Sequence, residues 1–358
     1  MIRHDLPSGT IWEGDWMQAP LPGGYTMAEV DGPYALGKAA WDRMNIDGLA
    51  DWYAPHLERL TSLMLPSATV YLWNTAEGWA RLDPVMRGLG WEFSSLVIWY
   101  KPNGQAQKAT DGVRGWPDVT EVCGVYQRDA WTLSTCAGSE IAYAAGRDER
   151  NWIRPWLLAE WTRAGLKAKD ADRALGTSGM AGHYFQPSQW ALPTWDAYQK
   201  LAAYAANTGA VGVFIRDGFP DLKSTYDHLR AEYEAARCFF RLPVGVTNVW
   251  DHPQVSGAER LTGPDGQALH PCQKPLLFAE RMVQASTRPG DRVLVPFGGT
   301  CRIATYLERL RRMEPENARY HDTCELNADG KDYLGAVLGR IGEDTGKAGQ
   351  QRLFGGSK

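Results

Sequence analysis

The segment "DRVLVPFGGTCRIATYLERL" (residues 291–310) reads as a short apolar strand, a glycine turn and a helix. Its β-branched run predicts a buried strand over 291–296, and apolar residues at helical spacing predict a helix over 302–312. Between them, Gly298 and Gly299 allow a tight turn and a close approach of the backbone to a ligand at the helix N-terminus. This order is typical of an α/β fold with a ligand site, although a plain tight turn explains two glycines equally well.

An acidic residue follows this unit at the distance seen in nucleotide-binding folds. Glu325 in "YHDTCELNADG" (320–330) lies about 25 residues after the glycine turn, at the end of the next predicted strand. A carboxylate there can accept both hydroxyls of a ribose. Earlier in the chain, predicted strands at 68–74, 93–103 and 121–128 follow a predicted helix at 47–63, and this alternation predicts a mostly parallel sheet.

The composition is that of a globular protein. With 358 residues, 44% hydrophobic and 22% charged, the chain can form one large α/β domain with an insertion, or two domains. No apolar run approaches the roughly 20 residues of a membrane helix, and the N-terminus lacks a signal-peptide core, so we expect a cytoplasmic protein without membrane contact. The six cysteines form no metal-binding pattern and predict reduced thiols. A net charge of −4 argues against an overall basic surface but not against a local basic stripe.

Two further segments carry residues typical of a reactive site. "DGPY" (31–34) ends the predicted strand "YTMAEV", and "HPCQKP" (270–275) opens a helix predicted over 275–286. Taken alone, Asp-Gly-Pro-Tyr is typical of a turn. The His-Pro-x-Gln-Lys-Pro pattern is much less frequent by chance. The accompanying motifs are "EGD" (13–15), "VIWYKPN" (97–103), "TNVWDHP" (247–253), "VPFGGT" (295–300) and "CELN" (324–327).

Over roughly residues 10–128 and 246–335, this series of motifs resembles the DNA amino-methyltransferases of the β arrangement. The resemblance implies an α/β, Rossmann-like methyltransferase sheet with circularly permuted motif order and a mostly helical inserted target-recognition domain. The predicted domains are a catalytic half (1–134), the helical target-recognition domain (135–245), a cofactor-binding half (246–341) and a flexible tail (342–358).

The resemblance also implies an activity, the transfer of a methyl group from S-adenosylmethionine to the exocyclic amino group of a flipped-out base in double-stranded DNA. Such an amine is a poor nucleophile because its lone pair is delocalised into the ring. Asp31 and a main-chain carbonyl of the Gly32–Pro33 stretch would accept its two hydrogens, with proline keeping the stretch rigid. The implied catalytic residues are Asp31, Pro33 and Tyr34, the last offering a face to the base.

The implied cofactor site has Glu325 on the ribose and Asp15 near the adenine. Three positions depart from the family pattern: Gly32 replaces the first proline of the tetrapeptide, Val295 replaces an acid that can contact the methionine amino group, and Cys301 replaces a loop glycine. These departures put cofactor affinity in question more than the fold. The implied cofactor-binding residues are Asp15, Asp31, His270, Gln273, Lys274, Pro296, Phe297, Gly298, Gly299, Thr300, Glu325 and Asn327.

The insertion begins with a pattern like a helix-turn-helix. Ala159 and Leu166 are spaced to pack against Ala171 and Leu175, which would leave residues 177–190 to meet bases or phosphates. An ordinary helical bundle explains the pattern equally well. The local excess of basic residues favours phosphate contacts, which position a protein without reading sequence. The predicted DNA-binding residues are Arg154, Arg163, Lys167, Lys169, Arg173, His183 and Gln189.

Several alternatives stay open at this point. The scaffold fits a catalytically degenerate DNA-binding protein, or an amino-methyltransferase for RNA or protein. An Asp at the first tetrapeptide position favours adenine slightly over cytosine, and a homodimer is open as the assembly. The tail segment "QQRLF" (350–354) resembles the motif by which bacterial proteins dock on the sliding clamp, but a loose tail folding back on the protein explains it better.

Overall fold

The computed structural model of the chain forms two compact units. One combines Met1–Arg128 with Cys238–Lys358, and the other is Asp129–Arg237. The inserted unit therefore spans 129–237 rather than the predicted 135–245, and the larger difference is at its C-terminal end. The reason is packing, because Cys238 contacts the Thr69 hydroxyl at 2.9 Å and the Arg241 amide donates to the Ala285 carbonyl at 2.8 Å. The structure describes residues 1–102, 116, 118–128, 153–179, 181–186, 192–207, 223–224, 227, 238–263, 266–270, 272–326 and 333–346.

A mixed sheet forms the centre of the first unit. In the described residues its strands are β1 (Ile2–Leu6), β2 (Gly9–Glu13), β3 (Tyr25–Val30), β4 (Met64–Asn74), β5 (Glu92–Tyr100), β6 (Thr120–Gln127), β7 (Val249–Asp251), β8 (Arg292–Val295) and β9 (Tyr320–Glu325). Their spatial order is β1-β2-β9-β8-β3-β4-β6-β5-β7. Strands β2, β9, β8, β3 and β4 run parallel to one another. The loops that follow β2, β9, β8 and β3 therefore meet at one edge of the sheet.

Helices cover the sheet and build the second unit. They are α1 (Leu49–Leu63), α2 (Ala76–Gly88), α3 (Ile153–Arg163), α4 (Ala168–Leu175), α5 (Ala181–Phe185), α6 (Trp195–Asn207), α7 (Leu276–Ser286), α8 (Arg302–Met313) and α9 (Tyr333–Gly346). Side chains of β3 alternate between the two faces, with Ala28 and Val30 packed among residues of α1 and α2, and Met27 among residues of α7 and α8. The central strands are thus apolar on both faces, as expected of a buried parallel sheet.

The α/β prediction is confirmed, with differences at the element ends. The helix predicted over 47–63 begins at Leu49, and the strand predicted over 93–103 ends at Tyr100. The sheet is mostly parallel, as predicted, with β6 antiparallel to both β4 and β5 and β1 antiparallel to β2. None of the described helices is both long and apolar enough to cross a membrane.

The second unit has its own hydrophobic core among the described residues. Leu157 and Trp161 of α3 pack with Ala171 of α4 and with Tyr198 and Leu201 of α6. The packing predicted for Ala159 is wrong, because this side chain is exposed. The inner face of α3 is set by the larger side chains at 157 and 161, one turn apart, and the helical period alone does not select between adjacent faces.

Candidate active site

A cavity of about 320 Å³ opens at the carboxyl edge of the parallel strands. Its lining comes from the residues that follow four neighbouring strands, with Asp15 after β2, Leu326 after β9, Pro296 after β8 and Asp31 after β3. Side chains more than three hundred positions apart therefore share one site. The sequence-predicted site residues that line it are Asp15, Asp31, Pro33, His270, Lys274, Pro296, Phe297, Gly298, Gly299, Thr300 and Glu325.

Of the predicted residues that the structure describes, Gln273 and Tyr34 are not among those that line the cavity. The amide of Gln273 holds a neighbouring loop, since its Nε2 donates to the Glu259 carbonyl at 2.8 Å and its Oε1 accepts from the Leu261 amide at 2.9 Å. Both ends of this amide are thus engaged in contacts that shape the chain before α7, and its cofactor contact stays a prediction. Tyr34 points its hydroxyl at a cluster of charges beside the cavity. Asn327 lies outside the described residues.

That cluster is centred on Asp31. The Lys274 ammonium donates to both Asp31 carboxylate oxygens, at 2.7 and 2.8 Å, and the Tyr34 hydroxyl donates to Oδ1 at 2.7 Å. Lys274 Nζ also lies 3.1 Å from the Glu121 carboxylate, which pairs with Lys101 on its other side. Two ammonium groups thus alternate with two carboxylates at the ends of β3, β5 and β6.

Lys274 is 5% exposed and charged. Burial by itself would lower the pKa of Lys274, but the carboxylates of Asp31 and Glu121 outweigh it and raise that pKa above its ordinary value. The rings of Tyr34, Trp73 and Trp99 have their centroids 5.3, 5.1 and 5.9 Å from Nζ, so the cation is also held against aromatic faces. Sequence reasoning assigned Lys274 to the cofactor, whereas the structure places its ammonium on the carboxylate of Asp31.

The loop after Asp31 is fixed by a residue that the sequence patterns did not reveal. Asp42 is 1% exposed, and its Oδ1 accepts from the amides of Tyr34 and Ala35 at 2.7 and 2.8 Å. Its Oδ2 accepts from the amides of Leu36 and Lys38 at 3.1 and 3.0 Å. One buried carboxylate therefore organises the backbone from 34 to 38. An acid eight residues after a turn tyrosine is too common a pattern to predict this role.

Gly32, the departure from the family tetrapeptide, has a structural cause. A Cβ atom at this position would lie 2.5 Å from the Tyr53 hydroxyl oxygen. That hydroxyl donates to the Pro33 carbonyl at 3.2 Å, and Asn74 Nδ2 approaches the same carbonyl at 3.4 Å. These hydrogen bonds hold the chain beside Gly32, and a side chain at position 32 would displace the Tyr53 hydroxyl that makes one of them.

The glycine turn packs directly on β9. A Cβ atom at Gly298 would lie 2.7 Å from a methyl carbon of Thr323 on β9. The backbone of the turn therefore lies directly against β9, with no space for a side chain at this position. The Gly299 amide donates to Glu325 Oε2 at 2.5 Å, which ties the turn to the acid at the end of β9. The glycine turn and Glu325, which together predict a nucleotide site from the sequence, are therefore joined by a hydrogen bond.

The other two departures affect the turn and the strand before it. Cys301 has a φ of 48°, in the left-handed region that costs an L-residue roughly 1–2 kcal/mol and that glycine adopts freely. A glycine at this position would thus carry less strain, which fits the family pattern. Val295 is buried in the core cluster with Met27 and Val293. With valine in place of the acid of the family pattern, the end of β8 carries no charge at this position.

One wall of the cavity is aromatic and was not predicted. Trp16, Trp52 and His56 surround Phe297, with ring centroids 6.1, 5.9 and 5.7 Å from it. The Trp16 indole donates to His56 Nδ1 at 2.8 Å, and burial lowers the pKa of His56, which favours the neutral ring that accepts this bond. Flat apolar faces of this kind suit a heteroaromatic ring. The spacing of Trp52 and His56 on one face of α1 was the available signal.

The predicted DNA-binding residues that the structure describes lie on α3 to α5. Lys167 and Lys169 are exposed. Arg163 pairs with Glu160, and Arg173 pairs with Asp170 at 2.8 Å.

The other predicted DNA-binding residues of this unit are less exposed or lie outside the described residues. Arg154 is partly buried and donates to the Phe185 carbonyl at 3.3 Å, while His183 is half-buried. Tyr184 and Phe185 pack in the core of the unit, so this part of the segment predicted to meet DNA faces inward. Gln189 lies outside the described residues.

Comparison with known proteins finds one family over most of the chain. A family model for N6/N4 methyltransferases, described as DNA methylase, matches residues 25–336, a range that contains strands β3 to β9. Among solved structures, M1.HpyAVI in complex with SAM is 12% identical, with 92% of this chain and 98% of that chain covered and a TM-score of 0.44. PvuII DNA methyltransferase (cytosine-N4-specific) is 11% identical, with 93% and 86% covered and a TM-score of 0.47.

Proposed function

The chain belongs to the N6/N4 family of DNA methylases, S-adenosylmethionine-dependent enzymes that methylate exocyclic amino groups of DNA, and we propose how its residues perform that reaction. The observation that carries the proposal is the placement of Asp31. Its carboxylate lies at the end of β3 in the same cavity as the glycine turn and Glu325. A nucleoside-containing methyl donor and an acceptor for an amine can therefore meet at one edge of the sheet.

The cavity fits S-adenosylmethionine on three observations. The absence of a side chain at Gly298 lets the turn lie close against β9. Glu325 offers a carboxylate at a strand end, and the wall around Phe297 offers a flat apolar surface. Glu325 would hold the ribose hydroxyls, while Asp15, whose side chain accepts from the Met17 amide at 2.9 Å, would lie near the adenine. When bound, the cofactor supplies a methyl group on a positively charged sulfur.

Asp31 would accept one hydrogen of the target amine. Its carboxylate has about four lone-pair sites, so it can keep the Lys274 ammonium and still accept the amine. The second acceptor would be the Gly32 carbonyl, because the Pro33 carbonyl already accepts from Tyr53. Fixing both hydrogens directs the nitrogen lone pair toward the methyl group, and no covalent enzyme intermediate is needed.

The exposed basic residues of the second unit would contact DNA phosphates. Lys167 and Lys169 are the best placed, since both are exposed. Arg163 and Arg173 are themselves exposed but pair with the largely buried Glu160 and Asp170, so they would contact phosphates only by leaving these carboxylates. Contacts to phosphates position a protein on DNA but do not distinguish one base sequence from another.

We propose a cytoplasmic enzyme acting on double-stranded DNA, with a homodimer open as its assembly. Docking of residues 350–354 on a sliding clamp is the less favoured explanation of the tail, and these residues lie outside the described part of the chain. Binding of the isolated peptide 346–358 to purified clamp, and its loss in Phe354→Ala, would support docking, whereas no binding at high micromolar concentration would dismiss it.

Isotope-labelled S-adenosylmethionine tests the substrate class. The protein is incubated separately with duplex DNA, RNA and a protein mixture, and the digested products are separated by mass spectrometry. We expect label in N6-methyladenine or N4-methylcytosine from DNA, with adenine slightly favoured. Label found only in RNA, or only in protein, would show that this macromolecule and not DNA is the substrate. Label in C5-methylcytosine, or cofactor binding without transfer to any of the three, would contradict the proposed chemistry.

A further inference from the structure

Glu29 is a buried carboxylate that faces the cavity and has no role so far. It lies on β3 two residues before Asp31, is 6% exposed and contributes to the cavity lining. Within the described ranges it forms no ion pair, although the charges of Asp31, Lys274 and Arg302 are near enough to act on it. An ionised carboxylate buried without a cation is costly. A residue of this kind, aimed into a ligand cavity, suits a cationic ligand group.

The strand register places Glu29 beside the position of the missing acid. In the parallel pair β3–β8, Met27 is opposite Val293 and Ala28 is opposite Leu294. The next residues in that register are Glu29 and Val295. Both side chains belong to the face on which Met27 and Val293 lie, because side chains alternate along a strand. Neighbouring strands are about 4.8 Å apart, so a glutamate at 29 can serve the region that an acid at 295 would serve.

The order of the strand ends fits the same ligand group. Along the cavity edge β9, β8 and β3 follow one another, carrying Glu325, the 296–300 turn and Asp31. A methyl donor with its ribose at Glu325 and its methyl group near Asp31 has to cross the end of β8. Its amino acid portion then comes close to the β8–β3 boundary, where Glu29 faces the cavity.

We propose that Glu29 binds the α-ammonium group of S-adenosylmethionine, in place of the acid that Val295 replaces. This inference rests on the proposed function, because it places one part of the proposed cofactor. It also explains why a chain without the acid at 295 keeps a carboxylate buried one strand away.

The charges around Glu29 give this interaction a measurable consequence. Burial and the neighbouring Asp31 raise the pKa of Glu29 to about 8, while Lys274 and Arg302 lower it in part. Both cations are engaged elsewhere, Lys274 with Asp31 and Arg302 with Glu259. At pH 7 the free protein therefore holds Glu29 mostly protonated. An arriving ammonium favours the charged carboxylate, so binding should release a proton.

Calorimetry with two ligands tests the assignment in the full-length protein. S-adenosylmethionine carries the ammonium, whereas 5′-methylthioadenosine has the same nucleoside without the amino acid portion. We expect Glu29→Gln to weaken S-adenosylmethionine binding about tenfold or more, as for removal of a charged hydrogen bond, and to leave 5′-methylthioadenosine nearly unchanged. Glu325→Gln, the matched control at the proposed ribose position, should weaken both ligands. Titrations in buffers of different ionisation enthalpy at pH 7 should show proton release in the wild type and none in Glu29→Gln.

A second variant moves the acid back across the strand pair. Glu29→Gln combined with Val295→Asp should recover most of the S-adenosylmethionine affinity of the wild type. Equal affinity of wild type and Glu29→Gln for S-adenosylmethionine, or equal losses for both ligands, would overturn the inference. If Glu29→Gln does not fold, absence of proton release from the wild type would overturn it. A wild type that binds neither ligand would refute the proposed cofactor itself, which is a distinct result.

Discussion

The two units of the molecule use charged side chains in opposite ways. In the first unit Glu29, Asp42 and Lys274 are buried, and they face the cavity or hold the loop beside it. Among the described residues of the second unit, several basic side chains are exposed and pair within their own helices, as Lys200 does with Asp196 and Arg173 with Asp170. Buried charges cost folding free energy unless they are paired, whereas exposed pairs contribute little. The first pattern indicates chemistry, and the second leaves cations available to an anionic partner.

The largest effect is expected at Asp31. Asp31→Asn keeps the shape of the side chain but removes the charge that accepts the target amine and pairs with Lys274. We expect methyl transfer to fall by about 10³-fold, while the dissociation constant of S-adenosylmethionine changes only a few fold. Single-turnover kinetics and calorimetry measure the two quantities. Near-wild-type transfer in Asp31→Asn would remove Asp31 from the chemistry.

Lys274 sharpens the contrast between the units. Lys274→Met leaves the carboxylates of Asp31 and Glu121 without their shared cation, and we expect it to lower the free energy of unfolding by about 3–5 kcal/mol. The matched change Lys200→Met breaks an exposed pair in the second unit and should cost less than about 1 kcal/mol. Denaturant unfolding of both variants gives the comparison. Similar losses would show that burial does not separate the two kinds of cation.

Asp42 tests how the catalytic loop is held. Asp42→Ala leaves four amides of residues 34–38 without their acceptor, and we expect a loss of about 2–3 kcal/mol in stability together with slower methyl transfer. Asp170→Ala is the matched control, because the Asp170 carboxylate accepts from the Lys167 amide at the start of α4. This change should lower the free energy of unfolding by about 1 kcal/mol and should have no direct effect on methyl transfer. A stable, fully active Asp42→Ala would show that the loop needs no such anchor.

The smallest effect concerns the exposed cations. Neutralising Arg163, Lys167 and Lys169 together should weaken DNA binding and reduce the slope of log K against log salt by up to about 0.9 for each phosphate that is no longer neutralised. Cofactor affinity should not change. Lys200→Ala with Lys223→Ala, which removes two exposed lysines of the same unit, is the control for net charge. An unchanged salt slope in the triple variant would show that α3 and the start of α4 do not face DNA.

Features encoded by neighbouring residues could be predicted from the sequence. The strand, turn and helix over 291–310 depend on local periodicity and on two glycines, and all three elements are present. The roles of Glu29 and Asp42 depend on which strands and loops lie next to each other after folding, which no local pattern encodes. The same holds for Gly32, whose requirement arises from Tyr53 on α1.

The surroundings of Gln273 and Ala159 have physical causes that the sequence does not encode. Gln273 belongs to a motif that resembles a cofactor-binding segment, but a resemblance does not separate a side chain that contacts a ligand from one that holds the adjacent loop. Ala159 lies next to the buried face of α3, and the larger side chains at 157 and 161 occupy that face instead. Burial and hydrogen-bond partners decide such cases, and both require the folded chain.

Sequencing the DNA of a methylation-free bacterial host by a method that reports modified bases tests the role of Asp31 in amine methylation most directly. The wild-type gene and Asp31→Asn are expressed in parallel, with protein levels matched. We expect N6-methyladenine or N4-methylcytosine at a defined sequence with the wild type and unmodified DNA with Asp31→Asn. Equal modification by both proteins, or unmodified DNA from a folded wild type that binds S-adenosylmethionine, would contradict this assignment.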